Sequence, residues 1–141
     1  HLEVDPDFLF KVPPRKLEEL IAGAYERDGW ADVVLTPRSG DDGRDVIATR
    51  TGHCSVRILD QVKAYRRGHL VTADAVRSMA GVLALDRNAS KALITTTSRF
   101  APGVLENPPI QARVPHWLEL VDGEQLLVWL RRLLRQSTNQ S

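Results

Sequence analysis

The sequence predicts an α/β fold: one mixed five-stranded sheet, an antiparallel meander extended by parallel strands, flanked by helices in the order αβββαββα. Three observations carry this. Residues 15–27 and 124–135 place apolar side chains at the 3.6-residue spacing of helices that bury one face. Residues 30–63 hold three short runs separated by turn residues, the pattern of strands paired antiparallel. A capped amphipathic segment at 73–85 then leads into the apolar run at 91–96, as a crossover helix leads onto a buried parallel strand.

Taken in order, residues 5–12 are mixed in character and are expected to form a short arm within an N-terminal stretch of 1–14. Pro13-Pro14 gives a rigid entry to a helix over Arg15–Arg27, in which Leu17, Leu20, Ile21, Ala24 and Tyr25 follow the 3.6-residue period, and Asp28-Gly29 ends it. Glu18 and Glu19 are expected in its first turn, where the helix dipole favours carboxylates. Glu18 shares a stripe with Ile21 and Tyr25 and leans inward; Glu19 lines up with Gly23 and Glu26 and leans to solvent. Strands follow at Trp30–Thr36, Asp45–Thr51 and Ser55–Lys63, with Gly52-His53 as the tight turn of the second hairpin.

Ala64–Leu70 is a basic loop containing Tyr65, Arg66, Arg67 and His69. Thr72 caps a helix over Ala73–Leu85 that turns Val76, Met79, Ala80 and Leu83 inward. The fourth strand, Lys91–Thr96, runs into the hydroxyl-rich Thr97-Ser98-Arg99. Pro102–Pro115 reads as an exposed proline-rich loop, and Trp117–Val121 as the fifth strand. Asp122 and Gln125 form a capping box for a last helix, Glu124–Arg135, packing Leu126, Leu127, Leu130 and Leu134. Gln136–Ser141 is a polar tail expected to fray. Trp30, Trp117 and Trp129 all fall in elements expected to build the core.

Composition bounds the function. With 141 residues and 43% hydrophobic content, the chain has material for one core, placed at residues 15–135, and no run of apolar residues long enough to span a membrane. The opening His1-Leu2-Glu3 is compatible with the remnant of an expression tag, which leaves the native start open. The single cysteine, Cys54, excludes an internal disulfide and a multi-cysteine zinc site; it is expected as a small buried hydrophobe, and the chain as cytoplasmic. His53, His69 and His116 fall on loops and turns and are assigned no metal. A net charge of +1 announces no general affinity for nucleic acid. Locally, Arg38, Arg44, Arg50, Arg57, Lys63, Arg66 and Arg67 surround Asp41, Asp42, Asp45 and Asp60, a distribution suited to a cation beside a phosphate track and equally to a mixed solvated surface.

The stretch from Thr36 to Lys63 holds the candidate chemistry. If its two runs pair as a hairpin, Asp45 at the start of one lies near Gln61 and Lys63 at the end of the other, and alternation turns Gln61 and Lys63 the same way. A carboxylate, an amide oxygen and an ammonium gathered there suit a divalent cation and a phosphate. The alternative is structural: an aspartate bonding backbone after a turn and a lysine solvating a strand end. Ser98 and Arg99 are likewise open between phosphate donors and ordinary strand-end residues.

As an ordered set, L-E-E-L, T-P-R-S-G-D-D-G-R-D-V-I-A, Q-V-K, A-V-R-S-M-A-G-V-L-A, A-L-I-T-T-T-S-R-F and L-E-L-V-D-G-E-Q-L resembles the Mrr-like restriction endonuclease catalytic domain, a branch of the PD-(D/E)-x-K nuclease superfamily, over residues 15–134. The resemblance implies a restriction-endonuclease-like core and a Mg²⁺-dependent DNA endonuclease, with Mn²⁺ as a substitute, acting in restriction or defence. Asp45 matches the metal-binding aspartate, Gln61 stands where that branch has Gln in place of the usual acid, and Lys63 matches the catalytic lysine. Glu18 matches the helix glutamate, with Glu19 one position away; Asp41 could assist, although Asp42 stands where relatives commonly have Gly. Arg38, Arg44, Tyr65, Arg66, Ser98 and Arg99 are the expected nucleic-acid contacts. Double-stranded DNA is the expected partner, with a homodimer and a fused recognition or sensor module as further possibilities. Two rival readings are a catalytically weak nucleic-acid-binding module of the same fold, and the nuclease effector domain of a larger defence or toxin protein.

Overall fold

The computed structural model describes residues 7–37, 45–86 and 88–139. Five strands, β1 (Asp32–Leu35), β2 (Asp45–Arg50), β3 (Val56–Lys63), β4 (Lys91–Thr96) and β5 (Leu118–Val121), form one sheet in that spatial order. β1, β2 and β3 pair antiparallel, whereas β3–β4 and β4–β5 are parallel. The expected mixed sheet is therefore present, with strand ends trimmed by one or two residues.

Alternation along the strands sorts the core into two layers. Val46, Ala48, Ile58 and Val62 face helices α2 (Pro14–Arg27) and α5 (Gly123–Asn139), meeting Leu17, Ile21, Leu126 and Leu130. Leu59, Ala92, Ile94 and Leu118 face α3 (Ala73–Leu85), meeting Val76 and Met79. A sheet covered on both faces buries its parallel strands, which is why β4 reads as a continuous apolar run. Thr72 caps α3 by accepting the Ala75 N–H at 3.3 Å, and the Asp122/Gln125 box closes reciprocally at 2.9 and 3.0 Å.

Several expectations are corrected. Part of the N-terminal arm is a single-turn helix, α1 (Phe8–Lys11), which buries Leu9. Because α2 begins at Pro14, Glu18 and Glu19 lie beyond its first turn, which holds no acid, so the dipole does not account for them. The segment expected as an exposed loop carries the short helix α4 (Pro108–Gln111) and inserts Val104 and Ile110 into the α3-side core. Trp117 is 60% exposed, because β5 starts one residue later, at Leu118. Cys54 is exposed in the β2–β3 turn instead of buried in a strand. In place of a frayed tail from Gln136, α5 continues to Asn139, and its buried stripe includes Leu133 where Leu134 was expected.

Candidate active site

The candidate residues converge where β2 begins and β3 ends. Asp45 is the first residue of β2 and stands directly across the antiparallel ladder from Gln61. Directly opposed residues share a face with Cβ atoms about 4.5–5.5 Å apart. Lys63, two residues on, falls on the same face by alternation and is only 6% exposed. An ordinary strand-end lysine would be solvated; this one is enclosed.

The backbone around these side chains is held tightly. Thr36 clamps Asp45 from both directions: its hydroxyl accepts the Asp45 N–H at 3.0 Å, and the Asp45 carbonyl accepts the Thr36 N–H at 2.9 Å. The Lys63 carbonyl accepts the Tyr65 N–H at 2.9 Å, the Thr96 hydroxyl at 2.9 Å and the Thr97 N–H at 3.3 Å. The Lys63 ammonium lies 5.7 Å from the Tyr65 ring centroid, and that ring stacks on His69 at 4.1 Å.

Glu18 is 2% exposed on the inward stripe of α2, whereas Glu19 points to solvent and pairs with Lys16 at 3.7 Å. Glu18, Asp45 and Lys63 are all engaged with their surroundings. Their relative level follows from an anchor further along. The Tyr25 hydroxyl, seven residues after Glu18, donates to Asp60 Oδ2 at 2.5 Å, and Asp60 lies three residues before Lys63. Helix α2 turns back into β1 through residues 28–31, and β1 and β3 each pair antiparallel with β2, so α2 runs opposite to β3. Seven helical residues rise about 10.5 Å, and three strand residues about 10 Å. Stepping from the Tyr25–Asp60 contact toward the site brings Glu18 to the height of Lys63 along the sheet, on the face that Asp60 shares with Val62 and opposite the face that Lys63 shares with Gln61 and Leu59.

Asp60 is the main residue of this region that the sequence reading passed over. It is 1% exposed and accepts a second hydrogen bond, 2.7 Å, from the Thr95 hydroxyl. Burial pushes its carboxyl up to about 6; the two hydrogen bonds pull the other way, and the nearby charge of Asp45 adds to the rise. The Tyr25 hydroxyl is pushed upward by burial and then by the Asp60 charge, so it remains a donor. The signal was present in the alternation of V-R-I-L-D-Q-V-K, where an acid occupies a position on the apolar stripe of Ile58 and Val62.

The expected nucleic-acid contacts divide. Arg38 and Arg44, with Asp41 and Asp42, lie outside the described residues. Arg66 is exposed in the loop after β3, while Arg67 bonds Asp7 and lies 4.5 Å over the Phe10 ring. The hydroxyls of Thr95, Thr96 and Thr97 are directed inward, to Asp60 and to the Lys63 and Tyr65 carbonyls, and do not form an open donor array. Ser98 and Arg99 line a cleft of about 420 Å³ with Asp7, Arg67, Thr97 and Glu124, beyond the end of β4. Ser98 is buried; Arg99 is exposed, with Glu124 at 3.9 Å.

The donor set fits a hard cation. Asp45 and Gln61 offer oxygens side by side, the chemistry suited to Mg²⁺ or Mn²⁺. Among the described residues no group of three or more His, Cys, Asp or Glu side chains is gathered as a ligand set. Any ion held here would therefore complete its shell with water or substrate oxygens, as Mg²⁺ commonly does. Nor is any described helix long and apolar enough to cross a membrane.

A mixed sheet of this order with flanking helices is a restriction-endonuclease-like fold, and comparison with known proteins agrees. Residues 9–130 match the family model of the Mrr-type restriction endonuclease catalytic domain. The chain belongs to that family. It is 27% identical over 135 residues to the uncharacterised protein y4cE of Sinorhizobium fredii, covering 92% of this chain and 32% of that protein. Two solved structures share the fold. One is the DNA modification-dependent restriction endonuclease AspBHI, with TM-score 0.62 and 20% identity over 94% of this chain and 36% of that one. The other is the restriction endonuclease MspJI in complex with a 27-mer oligonucleotide, with TM-score 0.60 and 21% identity over 89% of this chain and 29% of that one. The chain spans about a third of the length of each of these relatives.

Proposed function

We propose that the chain is a metal-dependent endonuclease domain that hydrolyses phosphodiester bonds of double-stranded DNA, in restriction or defence against foreign DNA. The observation that carries this reading is the register of Asp45 with Gln61, with the enclosed Lys63 two residues on. Asp45 and Gln61 would hold Mg²⁺, or Mn²⁺ in its place. A divalent cation there lowers the pKa of a coordinated water and polarises a phosphate oxygen. Lys63 orients the attacking water and offsets the negative charge that grows on the phosphate, a contribution strengthened by its low exposure. Glu18, buried on α2 against the other face of the sheet, is proposed to act on the cation around the end of β3.

Tyr65 and Arg66, leaving β3 directly after Lys63, and Ser98 and Arg99, at the cleft beyond β4, serve the DNA backbone. Arg38 and Arg44 complete that set as proposed contacts. Because the chain spans a third of its relatives, we assign it the cutting chemistry alone; a fused or partner module supplies target choice, and a homodimer allows both strands to be cut. The test is incubation of supercoiled plasmid with Mg²⁺ or Mn²⁺, alongside Asp45→Ala and Lys63→Ala. Cleavage by the wild type, lost in EDTA and in both variants, is the expected result. Equal cleavage by all three proteins would overturn the site, and DNA binding without cleavage by a folded wild type would favour the binding-module reading.

A further inference from the structure

We propose that Tyr25, Asp60 and Thr95 form a buried positioning strut that sets the active-site strand β3 against the glutamate-bearing helix α2. The reading of Asp60 as a positioning residue rests on the nuclease function proposed above, but its geometry stands by itself. The three residues come from the three elements that must agree: Tyr25 from α2, Asp60 from β3 and Thr95 from β4. Each carboxylate oxygen of Asp60 has its own hydroxyl donor, Tyr25 at 2.5 Å and Thr95 at 2.7 Å, inside a region closed to solvent.

A buried carboxylate is costly, and an apolar residue of similar size would serve packing alone at least as well. What directional hydrogen bonds to a charged group add is geometric definition. Here the definition bears on the site. Asp60 immediately precedes Gln61 and lies three residues before Lys63, so fixing it to α2 and β4 fixes the pitch of the strand on which both ride. The same bond fixes how far α2 slides along the sheet, and with it the level of Glu18, two turns before Tyr25. Tyr25 is itself held between aromatic neighbours, edge-on to Trp30 at 5.9 Å and tilted against Trp129 at 5.0 Å, so its hydroxyl is aimed by the core. One residue after Thr95, Thr96 bonds the Lys63 carbonyl at 2.9 Å, which carries the constraint to the end of β3.

The experiment compares wild type with Tyr25→Phe, which removes one hydroxyl and keeps the ring, and with Asp60→Asn, which keeps the shape. Met79→Ala in α3 is a control that destabilises the opposite core layer. Plasmid cleavage in Mg²⁺ is read as kcat and KM separately, and the Gln61 side-chain amide is followed by NMR without metal. Tyr25→Phe is expected to lower kcat tenfold or more with KM within twofold and to shift or broaden the Gln61 amide signals. Asp60→Asn, which retains an acceptor, should fall between Tyr25→Phe and wild type, and Met79→Ala should change neither readout at a temperature where it is folded. Unchanged kcat and unchanged Gln61 signals in folded Tyr25→Phe would overturn the strut. If the wild type itself cuts no DNA, the nuclease reading fails while the Gln61 signals still decide whether the strut positions that side chain.

Discussion

Gly123 approaches Thr97 so closely that a Cβ at that glycine would stand 2.3 Å from the Thr97 carbonyl oxygen. The N-terminus of α5 is seated directly on the segment leaving β4, with the Gly123 N–H donating to the Ser98 carbonyl at 3.0 Å. Backbone cannot move aside as a flexible side chain can. Gly123→Ala is therefore expected to lower stability by about 2–3 kcal/mol through overpacking, read as a fall in Tm. Gly81→Ala, at an open position inside α3, should stabilise by about 0.5–1 kcal/mol. Equal Tm values for the two variants would show that the helix seat has room.

Asp45→Ala and Lys63→Ala are expected to remove cleavage for different reasons. The first takes away the carboxylate for the cation, so raising Mg²⁺ should restore part of the activity. The second removes the charge facing the phosphate, with a loss on the order of 10²–10³ in kcat that no metal concentration repairs. Kinetics at several Mg²⁺ concentrations separate them; full rescue of Lys63→Ala by metal would sink this assignment.

Gln61 brings an amide oxygen where an acid would bring a charge, so the wild type should hold Mg²⁺ weakly and more tightly with DNA present. Gln61→Glu is expected to tighten metal binding in the absence of DNA by about tenfold, equivalent to ~1.4 kcal/mol. Calorimetric titration checks both statements, and identical isotherms for the two proteins would count against Gln61 as a ligand.

The elevated carboxyl of Asp60 makes stability depend on pH in a defined direction. Burial holds it at about 6 in the folded protein, against about 3.9 for an ordinary aspartate. Between these values the folded state keeps a proton that the unfolded chain releases. The contribution of Asp60 is thus most favourable below about pH 4 and is lost as pH rises through about 6. Urea denaturation in EDTA at several pH values should show wild type losing stability relative to Asp60→Asn across that window. A difference between the two proteins that stays constant with pH would show that Asp60 titrates normally.

The charge on Arg99 faces solvent and Glu124 at 3.9 Å, a screened pair worth little to stability. Arg99→Ala is expected to leave Tm within experimental error, weaken DNA binding and reduce its salt dependence by about one counterion. Binding curves at two salt concentrations test this, and an unchanged salt slope would remove Arg99 from the DNA path.

The sequence by itself determined the order of elements along the chain, the helices on both faces of the sheet and the approach of Asp45 to Gln61 and Lys63 across a hairpin, because these rest on local periodicity, capping residues and strand alternation within a few turns of chain. It also turned Glu18 inward and Glu19 toward solvent, since helical stripes can be counted. Where prediction failed, the deciding contact was distant in sequence. The 102–115 segment looked polar and proline-rich, yet Val104 and Ile110 are drawn in by the surface of α3. Trp117 is the local exception: it looked like a core residue, yet it stands just ahead of β5 and is exposed. Only the tertiary structure decided that Thr36 clamps Asp45, that the threonines after β4 turn their hydroxyls inward, and that Tyr25 reaches Asp60. Local pattern shows which face a residue takes; which group waits on the other side depends on how separate elements pack, and no short window of sequence contains that.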